Sequence, residues 1–200
     1  MSTYRLPQSV HAYFTDREAK TGVDLMHAYG LDQLPASLGW DQIPAYYAAV
    51  LATAQVQVER AMALETLWRH VWRDGMAAWT ALTPDEQKEV GWSLDVTPAG
   101  CWLGDSFGRA FARGENQTIA VGVEIDERDL YVYVGAWIGN ETALRSADGT
   151  DRNGFELSDE HLYSRKLVVT GSADIDLTAL SSDTGELLRI AEDRLSAYWK

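Results

Sequence analysis

One cysteine, Cys101, stands in the chain, so no intrachain disulfide can form and no thiolate cluster can hold zinc or an iron–sulfur centre. Lysine is almost as scarce: Lys20, Lys88, Lys166 and Lys200 are all there are. With arginine they make 17 cations against 30 carboxylates, a net charge of −13 that repels nucleic-acid phosphates and anionic membranes at long range. The excess is shared between 7 basic and 12 acidic residues up to Pro98, and 10 and 18 beyond it, so neither half is a basic arm. Direct nucleic-acid binding is not expected. The charge suits solubility first, and then attraction to a basic protein partner or mimicry of a polyanion.

Long apolar runs are missing too. The richest, Ala45 to Ala63, is interrupted by Gln55, Gln57 and Glu59, and the N-terminal MSTYRLPQSVHAYF has no apolar stretch of the secretory kind. A reducing, cytoplasmic setting without membrane contact is the expectation. Signatures of catalysis are also lacking: His11, His27, His70 and His161 are isolated, and no HExxH, GxSxG or glycine-rich phosphate loop occurs. No catalytic residue, cofactor or metal site is expected from motifs alone.

What is present divides at about residue 91. The first part reads as helical: Val10, Tyr13 and Phe14 at helical spacing before a breaker at Gly22, then Leu25, Met26 and Tyr29 up to Gly30. After Pro35 and Gly39, Asp41 is the expected N-cap of a long helix with Pro44 in its first turn. Its heptads place Tyr47, Ala54, Ala61, Trp68 and Gly75 at a, and Val50, Gln57, Leu64, Val71 and Ala78 at d, with Gln57 the one break in the seam. Such a helix wraps against a partner, either earlier helices of the chain or a second copy in a homodimer. Trp68, Trp72 and Trp79 are expected inward, and Glu65 with Arg69 forms an outer i,i+4 pair. Straight through to Leu82 the helix would be roughly 60 Å long, so a break near Asp74-Gly75 or a projecting arm is expected. Thr83-Pro84-Asp85-Glu86 is a capping box that opens a short helix.

Residues 92–200 read as a small antiparallel sheet closed by a C-terminal helix: two or three strands between Trp92 and Ile138, with 104–114 among them, a polar loop from Gly139 to about Glu160, and a strand at 166–170. Asp183 to Glu186 look like the box capping the last helix, with Leu187, Leu188, Ala191, Leu195 and Tyr198 as its stripe. The fold class is therefore α+β in a single domain spanning 1–200.

The stretch IAVGVEIDERDLYVYVGAWIG, residues 119–139, reads as a hairpin whose register is fixed by its own pattern. Pairing Asp126 with Asp129 sets Ile125 opposite Leu130, Val123 opposite Val132 and Val121 opposite Val134, one wholly apolar face. The other face pairs Glu124 with Tyr131 and Gly122 with Tyr133, with Trp137 beyond. Tyr131, Tyr133, Trp137 and Glu124 are thus the candidate binding residues, as a shallow stacking surface or the floor under a packed layer. The acidic tip, with Arg128 beside Glu127, reads as a solvated turn. Residues 147–160 resemble a calcium loop only at Asp151, Asn153, Gly154 and Glu160.

Two functional expectations follow. The first is an acidic binding or regulatory protein without catalytic activity, self-associating and acting on a protein partner. The second is a divalent-metal-dependent phosphodiesterase or nuclease using Asp95, Asp105, Glu124 and Asp126 of the strand region, since carboxylates hold catalytic Mg²⁺.

Overall fold

The structure is a computed structural model that describes residues 2–29, 38–89, 100–102, 106–114, 117–126, 129–137, 155–158, 161–168 and 171–196. The fold is α+β. A short strand β1 (Thr3–Arg5) leads into helices α1 (Gln8–Thr15), α2 (Arg17–Tyr29) and the long α3 (Ile43–Val71), followed by β2 (Thr80–Ala81) and α4 (Pro84–Glu89). Then come β3 (Cys101–Trp102), β4 (Ser106–Arg113), β5 (Gln117–Asp126), β6 (Asp129–Trp137), β7 (Phe155–Ser158), β8 (His161–Val168), β9 (Asp174–Asp176) and the C-terminal α5 (Leu177–Leu195).

The main sheet is antiparallel in the order β2-β4-β5-β6-β8-β7, with β3 beside β2 along the same outer edge of β4. The β5–β6 hairpin adopts the register its sequence specifies, with Asp126 opposite Asp129, Val123 opposite Val132 and Gly122 opposite Tyr133. Alternation then sends Phe107, Phe111, Val121, Val123, Val132 and Val134 to one face, where all are buried. Helices α3 and α5 cover that face. Trp68 stacks on Phe111 with ring centroids 6.2 Å apart, and its indole donates to the Val121 carbonyl at 3.0 Å. One turn on, buried Trp72 donates to the Gly122 carbonyl at 2.9 Å. Polar ties complete the layer: Arg113 bridges to Glu192 at 2.6 Å and lies over the Trp79 ring, and Lys166 bridges to Asp183 at 2.6 Å. Among the described residues, no helix is long and apolar enough to cross a membrane.

Several boundaries differ from the sequence reading, each for a local reason. Gly22 does not break a helix. It lies inside α2 against open space, and the break falls at Asp16, whose carboxylate accepts from the Glu18 and Ala19 amides and so caps α2. Helix α3 starts after Gln42, not Asp41, with no side-chain cap, and Pro44 holds its first turn. It ends at Val71, three residues before the expected break at Asp74-Gly75. The C-terminal helix begins at Leu177, capped by Asp176 accepting from Thr178 and Ala179, so the Asp183–Glu186 box is helix interior. Thr184 there is buried within reach of the Val71 and Ser181 carbonyls, a tertiary bond that a local box pattern cannot reveal. Part of the expected polar loop, Phe155–Ser158, is a strand paired with β8. The first part is not purely helical either: β1 pairs with β9, which ties the amino end to the start of α5. Thr83 and Glu86 do form their capping box, with the Thr83 amide donating to Glu86 at 2.7 Å and the Glu86 amide donating to Thr83 at 3.3 Å.

Candidate functional site

The second face of the sheet carries Glu124, Tyr131 and Tyr133, three of the four candidate residues named from sequence. Gly122 leaves room for the Tyr133 ring to lie flat across β5, and a Cβ added to Gly122 would stand 2.2 Å from Tyr133 Cζ. Tyr133 is only 6% exposed, packs with Leu82, Ala110 and Ala120, and its hydroxyl is 3.0 Å from Ser106 Oγ. It is a packed residue, not an open stacking platform. Tyr131 is half-buried beneath Arg165, whose guanidinium lies 4.2 Å from the ring centroid. The same guanidinium bonds Asp126 at 2.6 Å and Glu124 at 3.3 Å. Partial burial and the neighbouring Asp129 carboxylate push the Tyr131 phenol above its ordinary range, against the opposing pull of Arg165.

The structure thus brings Glu124, Tyr131 and Tyr133 together on one face, as the register requires. The Trp137 side chain lies outside the described residues, although its backbone pairs with His161 at the end of β6. Arg165, one residue ahead of the expected 166–170 strand and unremarked in sequence, organises the cluster. It occupies the space between the two carboxylates that a divalent cation would need. Asp95, Asp105, Glu127, Arg128 and residues 147–154, 159 and 160 lie outside the described residues. Among the described residues, no three His, Cys, Asp or Glu side chains converge as a metal site.

A cleft of about 150 Å³ opens where α3 ends against α5, lined by His70, Trp72, Asp74, Ser181, Thr184 and Leu188 among others. It holds histidine, aspartate and serine, but not as a relay. Ser181 Oγ donates to the His70 backbone carbonyl at 3.4 Å, and among the described residues no hydrogen bond joins the imidazole to Ser181 or Asp74. The thiol of Cys101 is half-buried, and burial pushes its pKa up in spite of nearby Arg109, the reverse of the shift that activates a thiol.

The most unusual surface belongs to α3. Its inner stripe is Thr53, Arg60, Ala63, Leu64, Leu67 and Val71, all buried and spaced at the 3.6-residue period of a straight helix. The expected heptad seam is therefore corrected: its later members Leu64 and Val71 are core, but Tyr47 faces solvent. A threonine and an arginine go inside, Arg60 with its guanidinium 4.4 Å from the Tyr13 ring centroid. Meanwhile Tyr47, Leu51, Val58 and Met62 are 50, 70, 59 and 61% exposed, and Trp40, just ahead of the helix, is 90% exposed. At 100° per residue the four helical positions fall within about 60° of one another and directly opposite the buried stripe. Helix α3 is apolar on two opposite sides. The exposed side runs about 22 Å and ends at the Glu65–Arg69 pair, bonded at 2.6 Å.

Sequence reasoning missed this surface because one heptad frame was stretched over two stripes. The available signal was charge: from Ile43 to Val58 no residue is ionisable as an acid or a base at neutral pH, in a chain of net charge −13.

No protein-family model matches the chain, and no curated protein or solved structure is detectably similar to it. Function must be read from these surfaces alone.

Proposed function

We propose that this acidic chain is a binding or regulatory protein without catalytic activity, which docks a protein partner on the outer face of α3. The observation that carries the reading is the inversion in that helix, with Thr53 and Arg60 inside and Tyr47, Leu51, Val58 and Met62 outside. Four large apolar side chains in one line leave several hundred Å² of apolar surface in water, on the order of the patches that mark interaction sites. The core does not need them there, since α3 already packs through its opposite side. Charge supports the same reading. A field of net −13 discourages nonspecific contact with other acidic surfaces, so specific contact is left to the uncharged stripe.

The test is to replace Leu51 and Val58 by glutamate and follow urea unfolding over a range of protein concentrations. If the face is free for a partner, the substitutions change the stability of the chain itself by less than about 0.5 kcal/mol and reduce binding of an apolar dye. A loss of several kcal/mol at every concentration would mean that the stripe is packed within the chain, and the reading would fail.

A further inference from the structure

The partner of the α3 face can be named, on the reading just given, from the spacing of the stripe itself. Tyr47, Leu51, Val58 and Met62 are separated by four, seven and four residues, a palindrome. An identical helix running the other way therefore meets it in register: 47 and 62 sum to 109, as do 51 and 58, and the midpoint falls between Ala54 and Gln55. We infer that a second copy of this chain docks antiparallel on α3 about a two-fold axis between Ala54 and Gln55, setting Tyr47 against Met62 and Leu51 against Val58 of the other copy.

Three features favour this occupant and this direction. An isologous contact requires a self-complementary patch, and a palindromic stripe is one. At the axis stand the small Ala54 and the uncharged Gln55, whose amide turns back along its own helix to donate to Glu59 at 2.8 Å, and the same sum places Ala48 against Ala61. Electrostatics select the antiparallel sense. A parallel pair would align two 29-residue helix dipoles and set Glu65 beside its own copy, whereas the antiparallel pair opposes the dipoles and sends the Glu65–Arg69 pairs to opposite ends.

Within the paired span 47–62 only Glu59 and the buried Arg60 carry charge, one of each sign, so two −13 chains meet there through a nearly charge-free surface. Repulsion then acts only at longer range, where salt screens it over about 8 Å at physiological ionic strength. Self-association accordingly strengthens with salt, whereas capture of a basic protein would weaken. The patch is at the small end of stable interfaces, so the dimer is concentration-dependent.

Sedimentation equilibrium of the full chain from about 1 to 300 μM tests the proposal, because dissociation constants of weak dimers fall in that window. The expected mass rises from 22.2 kDa toward twice that value, and rises earlier in high salt. Val58→Glu, which places a carboxylate opposite Leu51 on both sides of the axis, weakens association at least tenfold. Direction is read by cross-linking in a Cys101→Ser background: a mixture of Tyr47→Cys and Met62→Cys chains forms a disulfide, and Tyr47→Cys alone does not. A constant 22.2 kDa mass at all concentrations and salts would remove the second copy as the occupant, and ready self-cross-linking of Tyr47→Cys would overturn the antiparallel arrangement. A monomer whose stability is untouched by Val58→Glu leaves the open-face reading standing without this partner. Destabilisation by Val58→Glu at every concentration removes both.

Discussion

The ring of Tyr133 occupies the space where Gly122, its cross-strand neighbour, would carry a side chain. This pairing of a large ring with the smallest residue lets an aromatic lie against the sheet instead of standing off it. It also means that glycine at 122 is required for lack of bulk and not for an unusual backbone angle. Gly122→Ala is expected to cost about 1–3 kcal/mol in urea unfolding, the range of core overpacking. In a Tyr133→Leu background the same substitution should cost much less. Equal costs in both backgrounds would show that the ring is not what excludes the methyl group.

Trp72 is the firmest link between α3 and the sheet. Replacing it with Phe keeps most of the packing but removes the indole bond to the Gly122 carbonyl, where burial denies that oxygen water. The expected loss is about 2–4 kcal/mol, cavity and hydrogen bond together. Trp68→Phe should cost less, because Trp68 is only half-buried and loses less packing when its ring is shortened. A Trp68 loss as large as that of Trp72 would place the centre of the layer one turn earlier.

The capping box of α4 gives the chain a local acid-sensitive element. Hydrogen bonds from the Thr83 amide and then its hydroxyl favour the Glu86 carboxylate, which holds its pKa below the usual glutamate range. A depressed pKa contributes stability that is present above the unfolded value and is lost as pH falls through the folded one. The Thr83 amide should therefore lose exchange protection below the ordinary glutamate range, after correction for intrinsic rates. Glu86→Gln should abolish that step. Protection that stays constant through the titration would mean that the box does not hold the helix start.

Much of the fold was legible because its patterns are local. The hairpin register follows from alternation about Asp126 and Asp129, and the Thr83–Glu86 box follows from four adjacent residues. The failures came where a distant partner decides. Asp183 to Glu186 look like a helix start, yet Thr184 is committed to the Val71 carbonyl and Asp183 to Lys166. At the candidate face, pairing placed Glu124, Tyr131 and Tyr133 correctly, but Arg165 arrives from β8, a strand whose position beside β6 no local pattern fixes. The α3 surface was hidden differently. Two apolar stripes on one helix look like a single drifting seam until burial separates Thr53 and Arg60 from Leu51 and Val58.

Strands β2 and β3 pair with consecutive lengths of the same edge of β4, Ala81 opposite Phe111 and Cys101 opposite Arg109. Between them the Leu82 amide donates to the Ala110 carbonyl, so Leu82 fills the position just before Cys101. Gly100, with φ +77°, brings the chain back against Leu82, and the Gln87 amide clasps both the Leu82 and Gly100 carbonyls at 3.2 and 2.8 Å. In spatial terms one edge strand is cut after Leu82 and resumes at Cys101, with the in-and-out alternation kept across the cut. A chain shortened by joining Leu82 directly to Cys101 should retain the sheet, and the closed base at Gln87 makes the excursion a natural point for grafting a foreign segment.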